Sequence, residues 1–293
     1  KRGNKMSLRN DIVFKYSRFL SDKTWIMIKY FQFLGCFPNL KNPTTFNEKL
    51  QWLKLNDRKP IYSVMVDKYE VRRIIEKEIG KEYLIPLIGG PWANFDEINF
   101  DMLPDKFVLK TTHDSGGVIL CNDKAKLNKE IVKKKIDKHL SRNYFYQGRE
   151  WPYKDAKKRI IAEELVKDRN YEYLPVYKFF CFNGDPKIIQ TIQNDKQKDE
   201  TIDYFDISWN KLELKQNFPN SEKSIQKPVK LDEMIEIAKK LSKGMSFIRV
   251  DLYLINDDVK FSEFTFYSDC GLAKFEPKEW DKILGDYIDL NIK

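Results

Sequence analysis

Two acidic side chains near the C-terminal end, Asp251 and Glu263, are spaced to meet across a β-hairpin. They belong to residues 247–266 (FIRVDLYLINDDVKFSEFTF), where two runs of β-branched and aromatic residues flank the polar triplet 256–258. This pattern predicts a hairpin with a three-residue loop. Because side chains alternate along a strand, every second residue shares one face of the sheet. The predicted pairs on that face are Ile255 with Val259, Tyr253 with Phe261, Asp251 with Glu263, and Arg249 with Thr265.

The two carboxylates would repel each other, because directly opposed residues have Cβ atoms only about 4.5–5.5 Å apart. A proton, an arginine or a metal ion makes such a pair tolerable, and Arg249 and the Thr265 hydroxyl stand on the same face. Oxygen ligands that leave coordination positions open suit Mg²⁺ delivered with a nucleotide phosphate. The alternative is a surface hairpin with solvated charges, and a two-residue turn would move Glu263 to the opposite face.

A second stretch, residues 106–121 (KFVLKTTHDSGGVILC), has the pattern of a strand, a polar glycine-containing loop and a strand. Backbone N–H groups in such a loop can wrap phosphate oxygens, and Lys110 ends the incoming strand where its ammonium would reach them. The loop lacks the G-K-[ST] signature of a Walker A loop, and a strand rather than a helix follows it. An ordinary hairpin with Gly116-Gly117 in its turn explains the pattern equally well.

The composition favours a globular protein with an anionic partner. The 293 residues suffice for one large or two modest domains, and the net charge of +9 favours a nucleotide, an acidic glycan, a membrane surface or a nucleic acid. Four cysteines without C-x-x-C spacing and only two histidines argue against a zinc site and a disulfide framework. The longest apolar stretch, residues 25–37, is too short to span a bilayer. With no signal peptide in the sequence, we predict a cytoplasmic protein.

The periodicity predicts further elements. Residues 11–35 have apolar groups at helical spacing and predict two helices that pack together or lie on a membrane face. Thr45 and Glu48 form a capping-box pattern that opens the next helix. The other predicted elements are helices at 67–80, 126–140, 231–241 and 277–288, a strand at 159–166, a hairpin at 177–190 with a type I′ turn at Asn183-Gly184, and loops at 194–200 and 216–228.

The spacing of residues 249–251 (RVD) and 263–265 (EFT) resembles the R-x-D…E-x-N metal hairpin of ATP-grasp ligases. Five further strings look like the TupA-like (teichuronopeptide-biosynthesis) branch of that superfamily, and the resemblance covers the chain from about residue 40 to its end. They are residues 45–52 (TFNEKLQW), 67–72 (DKYEVR), 177–184 (YKFFCFNG), 264–267 (FTFY) and 275–281 (FEPKEWD). Each string alone is a weak signal, whereas five in the right order are specific.

The resemblance implies an α+β fold of the ATP-grasp type, in which two α+β subdomains grip ATP. It implies a helical N-terminal region at 1–66, a linker or pre-ATP-grasp segment at 67–104, a small (lid) subdomain at 105–170, and a large subdomain with the metal site at 171–293. The chain departs from the family pattern in three places: Thr265 replaces asparagine, Val176 replaces an acid, and residues 268–271 (SDCG) replace a turn that contains proline and glycine.

The same resemblance implies roles for individual residues. Arg249 would stabilise the transferring phosphoryl group or the tetrahedral oxyanion. Lys178 is a candidate phosphate or substrate contact, with a solvated strand lysine as the alternative. The residues implied for ATP binding are the lysines Lys68 and Lys110, the mobile loop residues His113, Ser115, Gly116 and Gly117, and the adenine-binding hinge residues Glu163, Glu164 and Val166. The residues implied for Mg²⁺ binding are Asp251, Glu263 and Thr265.

The implied activity is that of an ATP-dependent carboxylate–amine ligase, with ATP and Mg²⁺ as cofactors and an acyl phosphate as intermediate. The substrates would be an amino acid or amine and a uronic-acid sugar of a capsule or cell-surface polysaccharide, in the cytoplasm or at the inner face of the membrane. The alternatives are a nucleotide-sugar glycosyltransferase, although the chain contains no D-x-D metal motif, an ATP-dependent glycan kinase, and a basic binding module. No nucleic-acid partner is expected, since no nucleic-acid-binding motif is present.

Overall fold

The computed structural model describes residues 17–195 and 197–291 as an α+β protein with two antiparallel sheets. Residues 11–16 of the first predicted helix lie outside the described residues. The helices are α1 (Asp22–Leu34), α2 (Phe46–Asn56), α3 (Ile61–Val66), α4 (Val71–Glu78), α5 (Lys129–Leu140), α6 (Phe145–Gly148), α7 (Leu231–Ser242) and α8 (Glu279–Asp286). The strands are β1 (Leu87–Trp92), β2 (Phe107–Thr111), β3 (Val118–Cys121), β4 (Ile160–Glu164), β5 (Val176–Phe182), β6 (Asp185–Gln193), β7 (Thr201–Asp206), β8 (Phe247–Ile255) and β9 (Asp258–Thr265).

The larger sheet has the strand order β7-β6-β5-β8-β9. One of its faces packs against α7, where the Cys181 thiol contacts the carbonyl oxygen of Ala238. The opposite face presents Phe182 and Phe247, whose rings pack against Phe46 of α2. Farther along the strands the same face becomes polar, so α2 covers one end of it and the other end is available for chemistry.

The smaller sheet has the strand order β1-β4-β2-β3. Helix α5 packs against it through Val132 and Ile136, and each sheet has its own apolar core. Strand β1 comes from the segment predicted as a linker (67–104), yet it pairs with β4 in this sheet. The predicted domain boundaries therefore remain predictions, while the two α+β layers are those expected of the fold.

Both predicted hairpins form, but one turn is shorter than predicted. Asn183 and Gly184 have φ values of 55° and 85°, as a type I′ turn requires. The β8–β9 hairpin turns on Asn256 and Asp257 alone, with φ values of 50° and 71°. The predicted three-residue loop is therefore wrong, because Asp258 already pairs with Ile255.

A β-bulge at Ser262 restores the register that the shorter turn shifts. The predicted pairs next to the turn, Ile255–Val259 and Tyr253–Phe261, are wrong for this reason. The observed pairs are Ile255–Asp258, Leu254–Val259, Tyr253–Lys260 and Leu252–Phe261 before the bulge, and Asp251–Glu263, Val250–Phe264 and Arg249–Thr265 after it. One extra residue moves all later residues of a strand to the other face. Ser262 therefore places Glu263 opposite Asp251, as predicted.

Helix α2 begins with the predicted capping box. The Glu48 N–H donates to Thr45 Oγ1 at 3.3 Å, and the Thr45 N–H donates to Glu48 Oε2 at 3.3 Å. Its Lys49 ammonium donates to the carbonyl oxygens of Gly285 and Ile288, so α2 is tied to the C-terminal helix. None of the helices that the structure describes has the length and apolarity needed to cross a bilayer.

The helix predicted at 67–80 begins later, at Val71. The Asp67 carboxylate accepts hydrogen bonds from the N–H groups of Tyr69 (2.9 Å) and Glu70 (3.2 Å), which holds residues 67–70 as a turn. The sequence pattern also fails to indicate β1, because Gly89, Gly90 and Pro91 are unfavourable in strands. The short elements α3, α6 and β7 have too few residues to show a clear period.

Candidate functional site

A row of polar side chains crosses the larger sheet from β7 to β9. Directly opposed residues share a face of a sheet, so the row lies on the same face as Phe182 and Phe247. Its members, one from each strand, are Tyr204, Gln190, Lys178, Asp251 and Glu263. The sequence predicts the last three as site residues. It misses the first two because a pairing between distant strands leaves no local signal.

Arg249 organises this face and is only 8% exposed. Its Nε and Nη2 donate to the two carboxylate oxygens of Asp251 at 2.7 and 2.8 Å. Nη2 also donates to Thr265 Oγ1 at 3.0 Å, and Nη1 donates to Ser268 Oγ at 3.1 Å. Burial lowers the pKa of Arg249, but the Asp251 carboxylate together with Glu263 and Asp269 outweighs burial and raises it. The guanidinium is therefore a fixed positive charge beside the acidic pair.

Lys178 lies on the other side of Asp251, with its Nζ 3.7 Å from Asp251 Oδ2. The pKa of Lys178 is lowered, first by burial and then by the positive charge of Arg249. Two cations crowded into a buried site favour the arrival of an anion, because a negative ligand relieves their mutual repulsion. The row is therefore suited to a phosphate or carboxylate.

A small pocket joins the two sheets next to Glu263. Lys110 and Glu163 line it from the smaller sheet, and Phe261 and the bulged Ser262 line it from the larger sheet. The other lining residues are Lys68, Val71, Arg72, Leu84 and Ile85. The lining of this small pocket therefore combines an apolar wall with three cations.

Glu163 pairs with two of these cations. Lys110 Nζ lies 2.5 Å from its Oε2, and Arg72 Nη1 lies 3.1 Å from its Oε1. Burial lowers the pKa of Lys110, but Glu163 together with Tyr253 and, more weakly, Glu263 outweighs burial and raises it. The pKa of Lys110 thus depends on carboxylates of both sheets. Arg72 is absent from the predicted site residues, since only the fold brings it to Glu163.

The predicted glycine loop is closed at its base, where the Thr111 N–H donates to the Gly117 carbonyl oxygen at 2.8 Å. A Cβ on Gly117 would collide with Thr111 Oγ1, so this position requires glycine. The Asp114 carboxylate contacts the side chains of Thr111 and His139. The Lys68 ammonium donates to the Asp114 carbonyl oxygen at 2.5 Å. Lys68 therefore lies at the loop, and its contact with phosphate remains a prediction.

The other loop residues differ in exposure. His113 is buried, its Nε2 lies 3.2 Å from the His139 carbonyl oxygen, and burial lowers its pKa. Its imidazole therefore anchors the base of the loop. Ser115 and Gly116 are exposed at the tip, where their backbone can approach a ligand.

The predicted hinge residues also differ in exposure and in their contacts. The side chain of Glu163 points to Lys110 and Arg72, as described above. Glu164 is exposed, and its N–H donates to the carbonyl oxygen of Pro86 at 3.0 Å. Val166 is half-buried in the segment after β4. Their contact with adenine remains a prediction.

A tight turn at residues 268–271 closes the far end of the site. Asp269, Cys270 and Gly271 have φ values of 48°, 57° and 62°. Lys54 of α2 is completely buried, donates to the Cys270 carbonyl oxygen at 2.7 Å and lies 3.1 Å from its Sγ. The capping box predicts a helix here, but it does not show which face of the helix reaches the site.

The donor set fits a cation that arrives with a nucleotide. The described parts of the chain contain no group of three or more His, Cys, Asp or Glu side chains that could hold a metal ion. Asp251 and Glu263 supply two carboxylates, and Mg²⁺ in nucleotide sites commonly takes one or two carboxylates together with phosphate oxygens and water. An ionised carboxylate has about four lone-pair sites, so the two N–H groups of Arg249 leave acceptor capacity on Asp251.

Two α+β layers with a cationic pocket between them and a paired acidic hairpin beside it define a protein of the ATP-grasp class. The chain belongs to the TupA-like ATP-grasp family, whose sequence model matches residues 48–289. This match confirms the predicted superfamily, the fold class and the enzyme class, that of ATP-dependent ligases. A comparison with curated protein sequences finds no match.

Solved structures show distant likeness. D-alanine–D-alanine ligase from Helicobacter pylori is 14% identical, with a TM-score of 0.43, over 83% of this chain and 69% of that one. The Bacillus anthracis enzyme of the same name, solved with ATP, is 16% identical (TM-score 0.39; 69% and 54% covered). N5-carboxyaminoimidazole synthase from Aspergillus clavatus, solved with ADP and 5-aminoimidazole ribonucleotide, is 13% identical (0.38; 69% and 44%). The chain thus spans about half the length of the last two proteins, and likenesses this distant assign no substrate.

Proposed function

We propose that the chain uses ATP to activate a carboxylate and joins it to an amine. The observation that carries the proposal is the placement of Asp251 opposite Glu263, with Arg249 and Lys178 beside them and the Lys110 pocket adjoining. Phosphoryl transfer depends mainly on positioning and electrostatic stabilisation. This arrangement supplies both without a nucleophilic side chain.

In this proposal ATP binds at the junction of the two sheets, next to the small pocket that Lys110 lines. Lys68, Lys110 and the backbone of loop 113–117 offset the phosphate charge, and the apolar wall with residues 163–166 contacts adenine. Asp251, Glu263 and Thr265 would hold Mg²⁺, and the bound ion would neutralise phosphate charge and polarise the transferring group. Lys178 contacts the same phosphates from β5.

The reaction proceeds in two displacements. A carboxylate oxygen of the first substrate attacks the γ-phosphorus, the bond to the β–γ bridging oxygen breaks, and ADP leaves. The amine of the second substrate then attacks the acyl carbon of the acyl phosphate, and inorganic phosphate leaves. Arg249 stabilises negative charge on the transferring phosphoryl group and on the tetrahedral oxyanion, where a preorganised cation is most effective.

The proposed substrates are an amino acid or amine and a uronic-acid sugar of a capsule or cell-surface polysaccharide. Membership in the TupA-like family supports this class, and the net charge of +9 favours an acidic glycan. The alternatives remain a nucleotide-sugar glycosyltransferase and an ATP-dependent glycan kinase. A kinase leaves phosphate on the acceptor, a ligase releases it, and a glycosyltransferase consumes a sugar nucleotide without ATP.

An ADP-release assay tests the proposal. The purified protein, ATP and Mg²⁺ are combined with a panel of uronic acids, short uronic-acid glycans and amino acids, and ADP and inorganic phosphate are measured together. We expect ADP and phosphate in equal amounts, only when a carboxylate and an amine are both present, and an amide product by mass spectrometry. Phosphate attached to the acceptor, or sugar-nucleotide hydrolysis without ADP, would contradict the ligase.

A further part of the proposal is that α1 and its neighbours dock on an anionic membrane surface. The first 23 residues of the chain carry seven Lys or Arg and two Asp, and this positive charge complements anionic lipids. Exposed apolar side chains nearby include Phe19, Ile28, Phe31, Phe33 and Phe37.

A vesicle sedimentation assay tests this docking. We expect the protein to co-sediment with phosphatidylglycerol vesicles and not with phosphatidylcholine vesicles, and we expect the double variant Phe31→Ser/Phe37→Ser to lose this binding. Equal binding to both lipids, or binding that survives the substitutions, would contradict docking.

A further inference from the structure

The segment between α6 and β4 brings a buried carboxylate to the far end of the site. Helix α6 ends at Gly148, and Glu150 precedes the turn Trp151–Tyr153. A Cβ on Gly148 would collide with Cys270 Sγ and lie 3.2 Å from Glu150 Oε1. The thiol and the carboxylate therefore lie side by side above this glycine, and the thiol donates a hydrogen bond to the Gly148 carbonyl oxygen at 3.7 Å.

Cys270 connects Glu150 to the catalytic face. It lies two residues after Ser268, whose hydroxyl accepts a hydrogen bond from Arg249 Nη1 at 3.1 Å. Its carbonyl oxygen and thiol also contact the buried ammonium of Lys54. The positive charges of Lys54 and Arg249 both act on the Glu150 carboxylate. Glu150 thus lies at the end of the site where Arg249 would stabilise an acyl group.

Glu150 is 7% exposed, and among the described residues no ion pair joins it to a lysine or arginine. Burial raises its pKa, and the positive charge of Lys54, the neighbouring Cys270 thiol and the positive charge of Arg249 offset only part of this effect. The phenol groups that face it are Tyr144, Tyr153 and Tyr267, and its charge helps to raise their pKa values. A buried carboxylate without an ion-pair partner is costly, so a cationic ligand would be stabilised strongly here.

We propose that Glu150 receives the ammonium group of the amine substrate and accepts the proton that this group loses before it attacks the acyl phosphate. The proton moves from nitrogen to a carboxylate oxygen of Glu150. The freed lone pair forms the C–N bond, the bond from the acyl carbon to the phosphate oxygen breaks, and phosphate leaves. The inference rests on the proposed ligase function and adds the residue that serves its second half-reaction.

A comparison of two nucleophiles, hydroxylamine and an ordinary amine, distinguishes this catalytic role from a structural one. Hydroxylamine is largely uncharged at neutral pH and traps acyl phosphates as hydroxamates without a base, whereas an ordinary amine arrives protonated. The test measures hydroxamate with each carboxylate of the panel, and ADP release with each amine, for the wild type and Glu150→Gln. Glu236→Gln, on the exposed side of α7, is the matched control and should equal the wild type.

General-base catalysis typically contributes about 10²–10⁴-fold. We therefore expect Glu150→Gln to lower kcat/KM for the amine about 100-fold or more and to change hydroxamate formation less than about twofold. The wild-type rate with the amine should fall as pH drops through the raised pKa of Glu150, because the carboxylate is then protonated. This acid limb should disappear in Glu150→Gln, and Glu150→Asp should recover part of the rate.

The outcomes distinguish the inference from the function on which it rests. If the wild type forms neither hydroxamate nor ADP with any carboxylate of the panel, the ligase proposal fails and the inference fails with it. If the wild type forms hydroxamate and Glu150→Gln uses the amine as well as the wild type does, only the inference is wrong. Equal losses with both nucleophiles would show that Glu150 supports the fold or the ATP step. If Glu150→Gln does not fold, Glu150→Asp decides by the same ratio of amine to hydroxylamine rates.

Discussion

The β5–β6 and β8–β9 hairpins are built alike and used differently. Each turns on two residues with positive φ, and each contains one bulge. In β5–β6 the extra residue, Lys187, lies near the turn and is exposed. In β8–β9 the extra residue, Ser262, lies deeper in the sheet, and the pair directly beyond it is Asp251–Glu263. The position of one extra residue therefore determines which side chains a hairpin presents to the site.

Deletion of Ser262 should have the largest effect. The bulge disappears, Glu263 moves to the opposite face, and Arg249 loses part of its negative surroundings. We expect no measurable ADP release and a free energy of unfolding lower by about 3 kcal/mol or more, since charges are buried without partners. Deletion of Lys187 moves Gln190 by the same rule but leaves Asp251 opposite Glu263, so it should lower turnover less than deletion of Ser262 does. Activity that survives deletion of Ser262 would show that the bulge does not position Glu263.

Substitution of the acidic pair should remove activity with unequal effects on stability. Glu263→Gln should lower turnover about 100-fold or more and leave thermal unfolding almost unchanged, because Glu263 is only half-buried. Asp251→Asn should lower turnover equally and also cost about 3–5 kcal/mol, because buried Arg249 loses its charged partner. Asp185→Asn, an exposed residue at the start of β6, is the control. Full activity in both site variants would rule out the metal assignment.

Replacing the glycine in the turn of the first hairpin should lower the stability of the protein. Gly184 has a φ of 85°, and a Cβ there would meet only ordinary contacts, the nearest being Lys243 Cα at 3.5 Å. The cost of Gly184→Ala is therefore conformational, about 1–2 kcal/mol of unfolding free energy, with turnover unaffected. Chemical denaturation measures it. An unchanged midpoint would mean that this turn relaxes to another conformation.

A glycine in the turn of the second hairpin should stabilise the protein, and this should be the smallest of the effects. Asp257 has a φ of 71°, a conformation that glycine adopts more readily. Its carboxylate lies 3.9 Å from Arg169 in an exposed pair, which contributes little. We expect Asp257→Gly to raise the free energy of unfolding by about 0.5 kcal/mol, measured as a higher denaturant midpoint. A lower midpoint would show that the exposed pair outweighs the backbone strain.

The acidic pair illustrates what the sequence can and cannot reveal. Its residue types and spacing predict that Asp251 faces Glu263, although the turn is one residue shorter than expected. The pairing survives because Ser262 is an extra residue, and a bulge has no reliable local signature. A serine among alternating apolar residues of β9 is the one available hint.

The residues missed by sequence reasoning share one property. Arg72 and Lys54 stand on predicted helices, whose patterns do not show what these residues face. Glu150 stands in a segment for which the sequence predicts no element. Each reaches the site only through contacts between segments distant in the chain, with Glu163, Cys270 and the neighbourhood of Arg249. Such contacts depend on the packing of whole elements, which the local period does not encode.

The capping box of α2 limits where a truncated fragment of the protein can begin. The family match begins at residue 48, which lies inside α2 and after its cap residue Thr45. A recombinant fragment cut at that boundary would lose the cap and the ring of Phe46, which packs against both Phe182 and Phe247. The helix that carries Lys54 would fray, so expression should start well upstream of residue 45.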